Sequence, residues 1–129
     1  MAILENNQAV KTGYEPIDTD HEEFIQLLSL LASADDDAFP DLFRQLQQHV
    51  EAHFERENQL MEQFAFPAIA EHRAEHARVL NEIKQFSQRV EKGLVAFGRA
   101  FVEESLPQWF ELHAATMDRV LALHIKANS

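Results

Sequence analysis

Residues 46–61 read Leu-Gln-Gln-His-Val-Glu-Ala-His-Phe-Glu-Arg-Glu-Asn-Gln-Leu-Met. His49, His53 and Glu57 recur every fourth residue, so an α-helix places them on one face. Leu46 and Leu60 lie on that same face. An apolar helix face packs into a core, and an unpaired polar or charged group is costly to bury there. Three ionisable side chains on a core-facing stripe therefore need partners from elsewhere in the fold.

The flanking sequence repeats the theme. Before it, Phe24, Leu27, Leu28 and Leu31 fall at i, i+3, i+4 and i+7, the spacing of an amphipathic helix. Asp18 reads as its N-cap, with Asp20, Glu22 and Glu23 in the favourable first turn. Asp35-Asp36-Asp37 ends it, and Pro40 opens the second helix, whose stripe runs Leu42, Leu46, Val50, Leu60, Met61, Phe64. Phe66-Pro67 separates a third helix with Ile69, Val79, Leu80, Ile83, Phe86 and Val90, stopped at Lys92-Gly93. A fourth helical pattern spans Val95 to Lys126 with Pro107 inside it. Either Pro107 kinks that helix, or the principal helix begins near Ser105. The reading is an all-α, up-down-up-down antiparallel four-helix bundle over residues 18–129, preceded by an N-terminal arm over residues 1–17.

Composition agrees. The 129 residues, 46% hydrophobic and 26% charged, suit one globular domain and exclude a disordered or fibrous chain. Three glycines and four prolines are too few turns for a many-stranded sandwich or barrel. No stretch approaches the roughly 20 apolar residues of a membrane span. The absence of cysteine excludes disulfides, iron–sulfur clusters and thiol chemistry. The N-terminus lacks a basic-then-apolar export pattern, which makes the cytoplasm the expected compartment. Residues 1–62 hold 14 acids and 3 bases, whereas residues 63–129 hold 8 of each. A chain of net charge −11 repels nucleic-acid phosphates and anionic lipid; solvated acidic helix faces account for the excess.

Seven histidines are the compositional oddity. His21 extends the first apolar stripe backward, and His72 and His76 lead into Val79 and Leu80. His113 lies one turn after Trp109 and Phe110, with Asp118 five residues on. One histidine on an apolar face is ordinarily a satisfied core residue. Ionisable groups facing inward from four helices are satisfied together by metal, for which imidazole and carboxylate are common ligands. These ligand types alone also suit zinc or manganese. Five residues on an ideal helix leave His113 and Asp118 roughly 140° apart. The pair therefore either flanks the bundle axis or is aligned by a local π-turn.

At the level of motifs, the chain resembles hemerythrin-domain proteins of the bacteriohemerythrin kind from about Gly13 to Leu121. The matching elements are Gly13 … Ile17-Asp18-x-x-His21; His53-Phe54-x-x-Glu57-x-x-Leu60-Met61; Phe66-Pro67-x4-His72-x3-His76; and Trp109-x3-His113-x4-Asp118. The resemblance implies a non-haem di-iron site inside the bundle. His72, His76 and His113 would hold one iron, and His21 and His53 the other. Glu57 and Asp118 would bridge them with an oxo or hydroxo group. The second iron then keeps one coordination position for dioxygen. Reversible dioxygen binding for transport, storage or scavenging follows, rather than enzymatic turnover. The alternatives are a di-iron oxidase, a peroxide or nitric oxide reductase, or an oxygen- or redox-sensing module. A monomer is the default expectation.

The departures from the family pattern are specific. His49 stands where relatives commonly carry tyrosine; a ligand, a hydrogen-bond partner of a liganding histidine and a plain helix-face residue are its three readings. Ala114 is smaller than the usual branched residue at the wall of the oxygen pocket, which implies a larger cavity and faster autoxidation. Trp109 and Phe110 would close that pocket. Asn58 replaces an acidic residue frequent after the bridging glutamate. His124, near the C-terminus, is expected to be solvent-exposed.

Overall fold

Helix α1 spans Glu15–Ser33, α2 Phe39–Gln63 and α3 Ile69–Glu91 in the computed structural model, which describes residues 10–129. Helix α4 begins at Val95 and ends at Ala127. Connections of a few residues force successive helices to run antiparallel. α1 packs on α2, α2 on α3, and α3 on the start of α4, while α4 returns against α1. The expected all-α four-helix bundle is what the chain forms. None of the described helices is long and apolar enough to cross a membrane.

The start of α1 differs from expectation. Residues 1–9 of the arm lie outside the described residues, and the helix opens at Glu15, with Tyr14 as N-cap. Pro16 fits this first turn because the N–H it lacks has no intrahelical acceptor there. Asp18 is therefore inside the helix. Its carboxylate accepts bonds from the Thr12 N–H and hydroxyl, both at 2.7 Å, and from the Gly13 N–H at 3.0 Å. It secures the entry segment instead of capping the helix.

Two helices end by the same device. At the end of α3 the Leu94 N–H reaches back to Arg89 O at 2.9 Å, and the Gly93 N–H to Val90 O at 3.0 Å. Gly93 has φ +90°, the left-handed value this motif requires. At the end of α2 the Phe66 N–H bonds Met61 O at 2.9 Å and the Ala65 N–H bonds Glu62 O at 3.3 Å. Here the left-handed position is Ala65, with φ 50°. An alanine carries a Cβ penalty there that a glycine avoids.

Pro107 does not open α4, which is continuous through it. The helix runs α-helical through Val95–Ala100, takes a π-helical turn over Phe101–Ser105 and resumes over Leu106–His113. The Leu106 N–H donates to Phe101 O, five residues back. This wider turn precedes the proline and resets the ladder that its missing N–H interrupts. A second π-helical turn follows over Ala114–Asp118, where the Arg119 N–H reaches Ala114 O.

Apolar packing divides into two clusters. The larger includes Phe24, Leu28, Phe43, Leu46, Val50, Phe54, Val79, Ile83, Leu106, Phe110 and Ala114. The smaller contains Ile17, Met61, Phe66, Leu121 and Ile125. Along α1, His21 lies between Ile17 and Phe24; along α2, Glu57 lies between Phe54 and Met61. Along α4, Asp118 lies between Ala114 and Leu121. A polar layer thus crosses the bundle between two dry plugs. Because the α2–α3 turn sets the register of Glu57 against His72, its strain is testable: Ala65→Gly is expected to raise stability by about 1 kcal/mol in chemical denaturation. An equal or lower stability would contradict the strain assigned to Ala65.

Candidate metal centre

Seven side chains converge in the polar layer. α1 supplies His21, α2 His53 and Glu57, α3 His72 and His76, and α4 His113 and Asp118. All seven are buried, and Glu57 and Asp118 are each only 1% exposed. Every carboxylate oxygen faces imidazole nitrogen. Glu57 Oε1 lies 3.1 Å from His72 Nε2 and 3.2 Å from His76 Nε2, while Oε2 lies 2.5 Å from His53 Nε2. Asp118 Oδ1 lies 3.0 Å from both His72 Nε2 and His113 Nε2, and Oδ2 lies 2.9 Å from His21 Nε2. Two sets of donors result. One gathers Glu57, His72, His76, His113 and Asp118; the other gathers His21, His53, Glu57 and Asp118.

The π-helical turn is what brings Asp118 into register. On an α-helix His113 and Asp118 would diverge, whereas the i to i+5 turn aligns them. Of the two arrangements expected for this pair, the π-turn is the one found.

The donor geometry fits cations. The Nε2 atoms of His76 and His113, and Asp118 Oδ1, lie within about 3 Å of opposite polarity yet make no well-aligned hydrogen bond. Two ligands held at right angles, each about 2.1 Å from an ion, are separated by about 3 Å. These atoms aim at shared centres rather than at one another.

Electrostatics in the cation-free molecule tells the same story. Burial and mutual repulsion push the Glu57 carboxyl up, but His53 and His72 outweigh them and hold it well below the usual range. Asp118 is also held well below, burial again opposing and His113, His21 and His72 prevailing. Burial disfavours a protonated His72, yet the two carboxylates raise it to about 9. His53 is raised against burial chiefly by Glu57. For His76 burial dominates and lowers the pKa. Protons thus sit where a stronger positive charge fits.

The surrounding shell orients the rings. His21 Nδ1 faces Val10 O at 3.3 Å, and His76 Nδ1 faces Asn58 Oδ1 at 3.2 Å. His53 Nδ1 lies 3.7 Å from Asp20, whose carboxylate takes two bonds from Arg56 at 2.5 and 2.9 Å. Such contacts fix ring orientation and raise ligand basicity. Phe54 stacks on His76 with centroids 4.0 Å apart, and Trp109 stacks on His113 at 4.5 Å. The Trp109 Nε1–H donates to Glu75 Oε1 at 2.7 Å.

The remaining expectations fare unevenly. Trp109 and Phe110 line a small cavity beside the site, with Phe24, His49, Val50, His53, Phe54, His113 and Asp118 among its other walls. Ala114 is fully buried but does not line it; its methyl belongs to the larger apolar cluster. His49 bonds the backbone oxygen of Asp20 at 3.0 Å. His124 is not solvent-exposed: it is half-buried, faces Phe64 O at 2.7 Å and packs edge-on to Phe66, because α4 continues in order past it. Asp20, Glu75 and the carbonyl of Val10 escaped the sequence reading. Asp20 read as a first-turn acid, and no spacing marks an acceptor that serves a ring on another helix.

A bundle of antiparallel helices around buried, paired donor sets defines a cation-binding helical protein. Residues 12–125 match the family model described as the hemerythrin HHE cation binding domain. The bacteriohemerythrin of Ralstonia nicotianae (strain ATCC BAA-1114 / GMI1000) is 35% identical over 121 residues, covering 94% of this chain and 88% of that protein. The bacteriohemerythrin of Aquifex aeolicus (strain VF5) is 32% identical over 126 residues, covering 93% and 95%. The chain belongs to the hemerythrin family.

A pH prediction follows for metal-free protein. His72 is raised, so its contribution to stability is complete below about pH 6.5 and is lost as pH rises through about 9. His53, also raised, acts in the same direction. The lowered carboxyls Glu57 and Asp118 have finished titrating in the unfolded chain well below pH 6.5, whereas His49 and His76, lowered from 6.5, oppose the loss until the unfolded imidazoles have finished titrating at about pH 7.5. Chelated protein should therefore lose melting temperature between about pH 7.5 and 9, while cation-loaded protein, whose imidazoles are already deprotonated, should not. Parallel profiles would contradict the proton-for-cation exchange.

Proposed function

We propose that this chain holds two iron ions and binds dioxygen reversibly. The observation that carries the reading is the unequal division of donors beside a cavity of diatomic size. His72, His76 and His113 with two carboxylate oxygens offer five donors on one side. His21 and His53 with the other two oxygens offer four. The cavity touching His53, His113 and Asp118 measures about 20 Å³, room for roughly one molecule the size of water or dioxygen. Its walls are mostly apolar. A larger organic substrate does not fit, and the only carboxylate in the wall is Asp118 itself.

In this reading Glu57 and Asp118 would help hold both ions, since each belongs to both donor sets and its two oxygens face different imidazoles. A bound iron pair supplies the electrons that make dioxygen binding strong yet reversible. The chain's own residues hold that site dry. Phe24, Phe54 and Phe110 exclude water from the cavity, while Trp109 and Phe54 fix the rings of His113 and His76 by stacking. Membership of a cation-binding family and the names of the two bacteriohemerythrin relatives support the same assignment.

Ferrous iron loaded without air should reach two ions per chain, and visible spectra should gain and lose a charge-transfer band through cycles of air and argon. A band that bleaches once and does not return would favour a redox enzyme or sensor instead. The bridging roles are separable by mutation. Glu57→Ala should deplete both positions, leaving well under one ion per chain, because its two oxygens serve different donor sets. His21→Ala should retain about one, since its Nε2 serves a single set. Equal losses in the two variants, by metal analysis of folded protein, would contradict shared bridging.

A further inference from the structure

Twelve residues line the cavity beside the metal centre, and ten of them are buried; the two that are not are His49 and Trp109. These two are the most exposed parts of its wall and the natural places for a molecule to enter. Each is latched to a neighbouring helix by a single hydrogen bond. The latches differ in kind. The Trp109 Nε1–H donates at 2.7 Å to the Glu75 carboxylate, a charge-assisted bond, and Glu75 is itself paired with Arg78. The indole is also stacked on His113 and set edge-on to Phe54 at 6.2 Å. Moving it would break three kinds of contact at once.

His49 is held more lightly. Its Nε2 lies 3.0 Å from the backbone oxygen of Asp20 on α1. A carbonyl oxygen only accepts, so Nε2 carries the proton and donates. Burial is the main influence on the ring and lowers its pKa, so the bond is between neutral groups. Its nearest ring neighbour is His53, at 6.2 Å and tilted by 60°, too far for stacking. Glu23 Oε2 lies 3.6 Å from Nδ1 and is itself more than half exposed. The imidazole turns on two side-chain torsions, and its outward swing sacrifices one neutral hydrogen bond.

We infer that His49 is the gate through which a small uncharged molecule enters and leaves the cavity, at the seam between α1 and α2, with its bond to the Asp20 carbonyl as the latch. The inference rests on the proposed reading for the identity of the natural ligand, dioxygen, but not for the route. A gate sets rates rather than affinity. It lowers or raises entry and exit by one factor and leaves their ratio unchanged.

Xenon tests the route without oxygen chemistry, because it occupies dry apolar cavities. Its exchange with metal-loaded protein is measured by xenon NMR, and dioxygen uptake and release by rapid mixing on the same samples. His49→Ala should accelerate xenon exchange by about fivefold, the scale of one neutral hydrogen bond in the barrier. Dioxygen uptake and release should quicken together by a similar factor. His49→Phe, which keeps a ring but removes the latch, should accelerate exchange as well and covers the case in which the alanine variant fails to fold. Glu75→Ala, which frees the Trp109 latch but leaves the indole wedged, should leave xenon exchange unchanged. Unchanged exchange in both His49 variants would overturn the gate, as would an acceleration in Glu75→Ala matching theirs. Faster xenon exchange in a protein that does not bind dioxygen would uphold the gate and retire the oxygen reading alone.

Discussion

Glu57 and Asp118 are two carboxylates held ionised without an ion pair to any lysine or arginine among the described residues, buried between apolar layers of a helical bundle. Burial alone would force both to take up protons. What keeps them ionised is imidazole, placed at every one of their four oxygens. This demand explains why histidine replaces leucine on all four helices and why the replacements share one level of the bundle. It also explains the split core. Water reaching the carboxylates would weaken every interaction in the layer, so Phe54 and Phe110 on one side, and Met61 and Phe66 on the other, keep the local dielectric low.

Such an arrangement constrains the backbone as strongly as the side chains. Asp118 must face the same centre as His113, and an α-helical spacing of five residues does not permit that. The π-helical turn at Ala114–Asp118 is the local distortion that does. The turn at Phe101–Ser105 has a different origin, since it precedes Pro107 and accommodates a missing donor. Two irregularities of one type within a single helix thus arise from separate demands, one of them the metal centre's geometry and the other covalent. The rings are then fixed from behind. His21, His53 and His76 face acceptors on other residues, and His113 is held by the indole plane instead.

Most of the fold was legible because apolar periodicity, Pro40, Phe66-Pro67 and Gly93 are all local signals. The donor set was legible for a related reason: histidines at leucine positions are visible in any helix register, and their spacing of four is a property of the helix itself. The misreadings share a cause. Asp18 looks like a cap by residue type, but capping depends on where the chain turns, and Pro16 moved that point forward. Ala65 carries no mark of its left-handed backbone, since that conformation follows from the α2–α3 connection and not from alanine. Asp20, Asn58 and Glu75 serve rings on other helices, and such pairings are fixed by how the helices dock. His124 was judged by its distance from the chain end, whereas its burial depends on the turn at Phe64 packing against α4.

The uneven charge of the chain gains meaning beside the cavity. The whole acidic excess lies in residues 1–62, and α1 and α2 also flank the seam where His49 sits. A negative potential attracts cations and retards anions approaching by diffusion, but exerts no net force on a neutral diatomic. The same surface that favours loading of a cation site would therefore slow anionic ligands of similar size. Inside, the filter changes from charge to volume and polarity, since an apolar cavity of about 20 Å³ rejects bulky molecules and poorly solvates small polar ones. Selection for the proposed small uncharged ligand would thus be distributed along the path, with long-range repulsion of anions outside, the proposed latch at the seam and an apolar wall within.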